Sequence, residues 1–378
     1  MKEYVALKSQ SLGGQIRRLR EAFPLAGAEV YCADLVDREK PLYESEEELA
    51  ELEEALKIQG VCRLHGSYWA SPSAFLCGLE DVTARFGSGE ETAQYYSDLT
   101  GQHLFCRWRQ EYALACALEA QAYTFHLIDY FPIDGLWRFS LTRQQILSAM
   151  ADITARLLME LENAGLLSAE SPRIELENAG WGLEYGAQTA EDFACLLARV
   201  PDPHGKLCVA WDVNHLLHAV GVRNGRGVFL LPEDEVSPRM RALEERYGAD
   251  PGAFAWQWVR ENLTFPALAG RVACVHLSDC ALKEHQFFTR GYLEHPWRAE
   301  LEACPGWEEK EHYGEQLVLT HYDSHLPLGQ GILPGGAVYE TLCRLDAAHS
   351  DFALLHELKN TRELFRDLAA QRNALLQK

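Results

Sequence analysis

The chain has 378 residues, 47% of them hydrophobic, and carries 35 Lys and Arg against 56 Asp and Glu, a net charge of −21. That length can bury a large core, in one barrel-sized unit with insertions or in two domains. So acidic a surface repels phosphate backbones, which argues against nucleic acid as a partner without excluding it.

The elements follow a rhythm in which a short apolar run ends in a polar residue and a helical stretch follows. "EYVALKS" (3–9) opens the chain as a weak strand, and "GGQIRRLREAF" shows helical spacing. "AEVYCADL" (28–35) is the second strand, and "ESEEELAELEEALKIQG" after it begins with acids and ends on glycine, as a helix prefers. The strands "GVCRLHGS" (60–67), "AYTFHLID" (122–129) and "RIELENAG" (173–180) come next, with a long amphipathic helix, "TRQQILSAMADITARLLMELENAG", before the last of them. "TAEDFACLLARV" opens on a capping-box pattern. The remaining strands are "KLCVAWDVNH" (206–215), "RVACVHLSD" (271–279) and "DFALLHELK" (351–359), and a helix closes the chain.

Eight strands alternating with helices predict a parallel sheet closed into a (β/α)8 TIM barrel, treated as a single domain over residues 1–378. The runner-up, an open doubly wound sheet, lacks a GxGxxG after the first strand. Residues 221–268 and 281–320 read as insertions at the carboxyl ends of strands, where lids or the contacts of a homo-oligomer are built. Eleven cysteines, none in CxxC spacing and several in apolar runs, read as buried thiols in a reducing compartment. No apolar run reaches the ~18–20 residues that cross a membrane, and the first residues lack a signal-peptide pattern. The expectation is a cytoplasmic protein.

Ligand-type residues recur at the strand ends. They are His65, His126, Glu177, Asp212 with His215, His276, the pair Asp323 and His325 in "DSHLPLGQG", and Glu357. In a parallel barrel these nine side chains meet at one face. Imidazole mixed with carboxylate suits Zn, Mn or Fe as divalent ions, and no thiolate is among them. Bland readings stand beside this one. Asp212 with His215 also reads as a helix N-cap followed by a surface histidine, and the "DSHLPLGQG" glycines as an ordinary turn. The register could present His356 instead of Glu357. Glu175 shares a face with Glu177, which is favoured as nearer the strand end. Asp279 is a candidate to orient His276 or hold substrate, and Trp69 and Trp181 to wall a pocket.

"LENAGWG" (176–182), "WDVNH" (211–215), "HLSD" (276–279), "DSHLPLGQG" (323–331) and "HELK" (356–359) resemble the xylose isomerase-like barrels, over roughly residues 60–360. That superfamily includes sugar isomerases, sugar epimerases and the endonuclease IV family (AP endonuclease family 2). The endonuclease IV likeness implies a nine-ligand trinuclear zinc site made of the nine residues above. The epimerase likeness implies one metal on Glu177, Asp212, His276 and Glu357, with His215 on substrate and the two glutamates moving a proton through an enediolate. An arginine often follows the His-x-x-Asp segment in those epimerases; here Lys283 is the cation nearby.

The sequence departs from the repair enzymes in reading "HLIDYFPIDG" after His126, and the two long insertions crowd the face where duplex DNA would lie. Together with the charge, these features lead to the expectation of a metal-dependent isomerase or epimerase acting on a small carbohydrate-like substrate, with one to three Zn or Mn ions. Endonuclease IV-like phosphodiester hydrolysis is the alternative, and a metal-binding barrel without catalysis the third.

Overall fold

The eight expected strands pair in parallel around a closed barrel: β1 (Lys2–Leu7), β2 (Gly27–Tyr31), β3 (Cys62–His65), β4 (Ala122–His126), β5 (Arg173–Glu177), β6 (Leu207–Asp212), β7 (Val272–Leu277) and β8 (Ala353–His356). Each lies beside its chain neighbour, and β8 closes on β1. The computed structural model describes residues 1–7, 12–31, 62–66, 102–126, 132–133, 136–137, 142–178, 187–221, 238–280, 285–288, 307–312, 315–320, 325–349, 351–359 and 363–377. Trp69, Trp181, Lys283, Asp323 and the acidic stretch 44–54 lie outside them.

The described helices are α1 (Leu12–Ala22), α2 (Gln102–Ala117), α3 (Arg143–Asn163), α4 (Ala190–Leu197), α5 (Val213–Gly221), α6 (Pro238–Tyr247), α7 (Pro251–Leu263), α8 (Gly335–Ala348) and α9 (Leu364–Leu376). α3 begins on a Thr142–Gln145 capping box and is followed by Gly165 at φ 68°, the left-handed exit that glycine allows. The capping box expected at α4 is formed by Thr189 and Asp192. No helix among the described residues is long and apolar enough to cross a membrane.

The expected insertion at 221–268 is not one loop. Within it, α7 sinks Phe254, Trp258 and Val259 into the core, and Trp258 Nε1 donates to the Leu216 carbonyl of α5 at 3.1 Å. Within the second, residues 285–288, 315–320 and 307–312 form a three-stranded antiparallel sheet. Among the described cysteines, Cys62, Cys208, Cys274 and Cys280 are buried thiols, and burial pushes Cys62 and Cys208 up to about 12, which leaves them unreactive.

Alternation along each strand stacks the barrel interior in layers. The layer beneath the strand ends is ionic. Arg63 from β3 donates to Glu29 Oε2 of β2 at 3.0 Å, to Thr124 Oγ1 of β4 at 3.3 Å, and to Glu175 of β5. The Tyr4 ring packs 5.2 Å beneath the guanidinium carbon. Arg63, Glu29 and Glu175 are wholly buried, so each charge depends on its partners. This resolves the competition between Glu175 and Glu177: Glu175 is held by Arg63 one layer down.

Removing one partner of a buried ion pair leaves an uncompensated charge and costs about 3–5 kcal/mol. Arg63→Ala is expected to destabilise the protein by about that amount, measured by urea unfolding. A loss under about 1 kcal/mol would show that Arg63 is not needed to hold this layer together.

Candidate metal centre

The upper layer gathers the side chains that end the strands. β3 contributes His65, β4 His126, β5 Glu177, β6 Asp212 and β7 His276, while Glu357 follows β8 directly. His215 comes from the first turn of α5, and His325 from the segment that leads into α8. Eight of the nine expected ligands therefore converge. Asp323, the ninth, lies outside the described residues.

They fall into three overlapping groups: His65, His126 and Glu177; Glu177, Asp212, His276 and Glu357; and Asp212, His215 and His325. Within each, one ligand atom per residue lies within 4.8 Å of the others. Glu177 belongs to the first two groups and Asp212 to the last two, so each carboxylate is common to two groups that could hold a metal ion.

Backbone carbonyls set the imidazoles. His65 Nδ1 donates to Gly66 O at 2.9 Å, His215 Nδ1 to Asn178 O at 2.9 Å, and His325 Nδ1 to Glu357 O at 3.2 Å. Each bond fixes a tautomer and turns Nε2 toward the carboxylates. His65 Nε2 lies 3.0 Å from Glu177 Oε2, and the Nε2 atoms of His215 and His325 lie 3.6 and 3.8 Å from Asp212 Oδ2. His276 faces the centre through Nδ1, 3.1 Å from Glu357 Oε2 and 3.3 Å from Glu177 Oε1.

The donor set fits divalent cations. Glu177, Asp212 and Glu357 are buried carboxylates in one group. Glu177 Oε1 and Asp212 Oδ2 have no hydrogen-bond partner among the described residues. A nitrogen lone pair aimed at a carboxylate oxygen is repulsive unless a proton or a metal ion lies between them. Burial pushes the Asp212 carboxyl up against the pull of His215 and His325, and Glu357 and Glu177 push it the same way. Burial also holds the His126 imidazole neutral, pushed down to about 3, which is the ligand form.

The N-cap part of the bland reading of Asp212 is seen, Oδ1 accepting the His215 N–H at 3.0 Å at the start of α5, but His215 is buried and not a surface histidine, and Oδ2 has no hydrogen-bond partner among the described residues. The choice after β8 falls on Glu357, because His356 points outward to Gln371, at 2.9 Å. Asp279 departs from expectation. Its carboxylate accepts five backbone N–H groups, those of Cys280, Gly329, Gly331, Ile332 and Leu333. Gly329 and Gly331 of "DSHLPLGQG" give their amides to that carboxylate.

Three residues at the centre were missed. Tyr31 donates its hydroxyl to Glu357 Oε1 at 2.5 Å and stacks on His65, ring centroids 4.4 Å apart. It ends β2 as the histidines end their strands, and that position was the available signal. Asn178 exchanges two hydrogen bonds with the Asp212 backbone, at 2.7 and 3.0 Å, locking the ends of β5 and β6 together. Lys359 Nζ lies 3.4 Å from Glu357 Oε1, a cation beside the centre supplied by "HELK".

No family model matches this chain, and neither does any curated protein. Among solved structures, an endonuclease IV from Thermus thermophilus is similar, with a TM-score of 0.52, 15% identity and 99% of each chain covered. A second protein of that organism, soaked with zinc chloride, has a TM-score of 0.51 and 16% identity, covering 99% of this chain and 98% of its own. An L-ribulose 3-epimerase gives a TM-score of 0.45 at 11% identity, over 99% of this chain and 87% of its own. At these identities the likeness of the first two bears on the fold alone, a closed (β/α)8 barrel.

Two outcomes are expected. Tyr31→Phe removes the hydroxyl bonded to Glu357 and should weaken metal affinity about 10–100-fold, measured by competition with a chelating dye; unchanged affinity would rule out this role. In metal-free protein, the unfolded state takes up a His126 proton near pH 6.5 that the folded state refuses until about 3. His126 therefore adds a rise of stability with pH across that window, at most about 1.4 kcal/mol per unit. Urea unfolding of His126→Gln should show a shallower rise than the parent; equal slopes would contradict the neutral, half-buried imidazole.

Proposed function

We propose that this chain is a divalent-metal-dependent phosphoester hydrolase. The observation that supports this reading is the overlap of three ligand groups through Glu177 and Asp212. One ion leaves His65, His126 and His325 without a role, whereas two or three ions use all of them. Divalent ions held there would supply Lewis-acid chemistry, lowering the pKa of water and neutralising phosphoryl oxygens.

The chain's own residues do the rest. Glu177 and Asp212 are the residues that would be shared between ions, and the carbonyls of Gly66, Asn178 and Glu357 hold three imidazoles in the tautomer that leaves Nε2 unprotonated. Tyr31 and Lys359 steady Glu357 Oε1. Lys359 is also placed to meet an anionic substrate. The net charge of −21 favours a small phosphodiester over a long nucleic acid, and the free thiols suit the reducing cytoplasm.

Sugar isomerisation, the expectation from the sequence, remains the second reading. It is favoured by the central group alone, where Glu177 and Glu357 both contact His276 and could serve as an acid–base pair around one ion.

Metal content as purified, measured beside turnover of a bis-aryl phosphodiester and of a ketohexose, separates the two. Two or three zinc ions per chain with phosphodiester cleavage, falling at least ~100-fold in Glu177→Gln, is the expected result. One manganese or cobalt ion with sugar epimerisation would replace it with the second reading. No metal uptake would overturn both.

A further inference from the structure

Four of the five amides on Asp279 come from a segment that also carries a metal-ligand candidate, His325. Asp279 Oδ1 accepts from Cys280, Ile332 and Leu333 at 2.9, 2.9 and 3.1 Å, and Oδ2 from Gly329 and Gly331 at 3.1 Å each. The backbone of Asp279 pairs with Leu326 on both sides, N–H to O at 2.7 Å and O from N–H at 2.9 Å. Leu326 is the residue after His325. One side chain and its own peptide groups thus clamp residues 326–333 to the end of β7, three residues beyond His276.

The fit is tight. A Cβ on Gly331 would lie 2.4 Å from Asp279 Oδ1, so only glycine closes the loop there. Gly329 takes φ 91°, a conformation glycine adopts without strain. His325 sits at φ 41°, uncommon for a residue with a Cβ. Its backbone position is held by Leu326 and its ring by Glu357 O and Ser278 Oγ. Other bonds to the segment come from Gln371 of α9, whose Oε1 accepts from Leu328 at 2.9 Å. The other two ligand groups draw on strand ends and Glu357, none of which this loop carries.

We infer that Asp279 is a positioning residue for one ion: it sets His325 against Asp212 and His215, and does not support the other two groups. This rests on the metal-centre reading above. Asp279→Asn keeps the shape but puts an NH2 group where one carboxylate oxygen accepts amides, so donor faces donor and the loop is released.

The test loads the full-length chain with cobalt(II) and follows the visible ligand-field spectrum and ions bound per chain. His325→Ala serves as the reference for the third ion. Asp279→Asn should lose the same spectral component as His325→Ala, with that ion weakened at least tenfold and the others within twofold of the parent. A purely structural role would weaken all ions together. Gly331→Ala, which displaces the carboxylate without removing it, should reproduce the pattern and stands in if Asp279→Asn does not fold. Parent-like binding of every ion in these variants, or equal weakening of all, would overturn the inference while leaving the metal centre intact. A parent chain that takes up no cobalt would overturn the metal reading, and this inference with it.

Discussion

Three carboxylates and a ring of imidazoles are buried at the carboxyl ends of the strands, and the need to neutralise them organises the upper half of the barrel. Glu177, Asp212 and Glu357 cannot all be charged and dry beside one another without cations. Among the described residues, Lys359 reaches Glu357 from the rim, and the carboxylates raise the His65 and His276 imidazoles against the effect of burial. The layer below solves the same problem differently, with Arg63 set between Glu29 and Glu175. One layer is thus closed by the chain itself, while the layer above is completed by divalent ions in the reading proposed here.

Geometry in the upper layer is set by groups that touch no ion. Carbonyl oxygens aim His65, His215 and His325, Asn178 locks β5 to β6, and Asp279 anchors the loop behind His325. These are backbone-mediated devices, which cost little side-chain entropy and hold a ring direction tightly. Sharing Glu177 and Asp212 makes the three groups interdependent. Loss of either carboxylate should damage two groups at once, whereas loss of Asp279 damages one.

Much of this was legible in the sequence because a parallel barrel turns chain position into spatial position. A residue at the carboxyl end of any strand arrives at one face, so His65, His126, Glu177, Asp212 and His276 could be collected without knowing how the strands pair. The same logic did not reach Tyr31, because the sequence reading carried the second strand on to residue 35, and its bond to Glu357 spans most of the chain. Asp279 was legible as a polar residue near the site and misread in its partners, since most of the amides it accepts lie some fifty residues ahead.

By itself, then, the sequence determined the barrel, its eight strands and the eight described side chains that converge, because apolar runs, helix caps and strand-end polarity are local properties repeated at each unit. Tertiary structure decided what depends on register and on segments distant in sequence. It turned His356 outward and Glu357 inward, bound Glu175 to Arg63, and gave the amides of Gly329 and Gly331 to Asp279. It also sorted the ligands into three groups that share two carboxylates. Each of those outcomes is a choice of partner, and partners across a barrel are selected by distance and burial that no local pattern encodes.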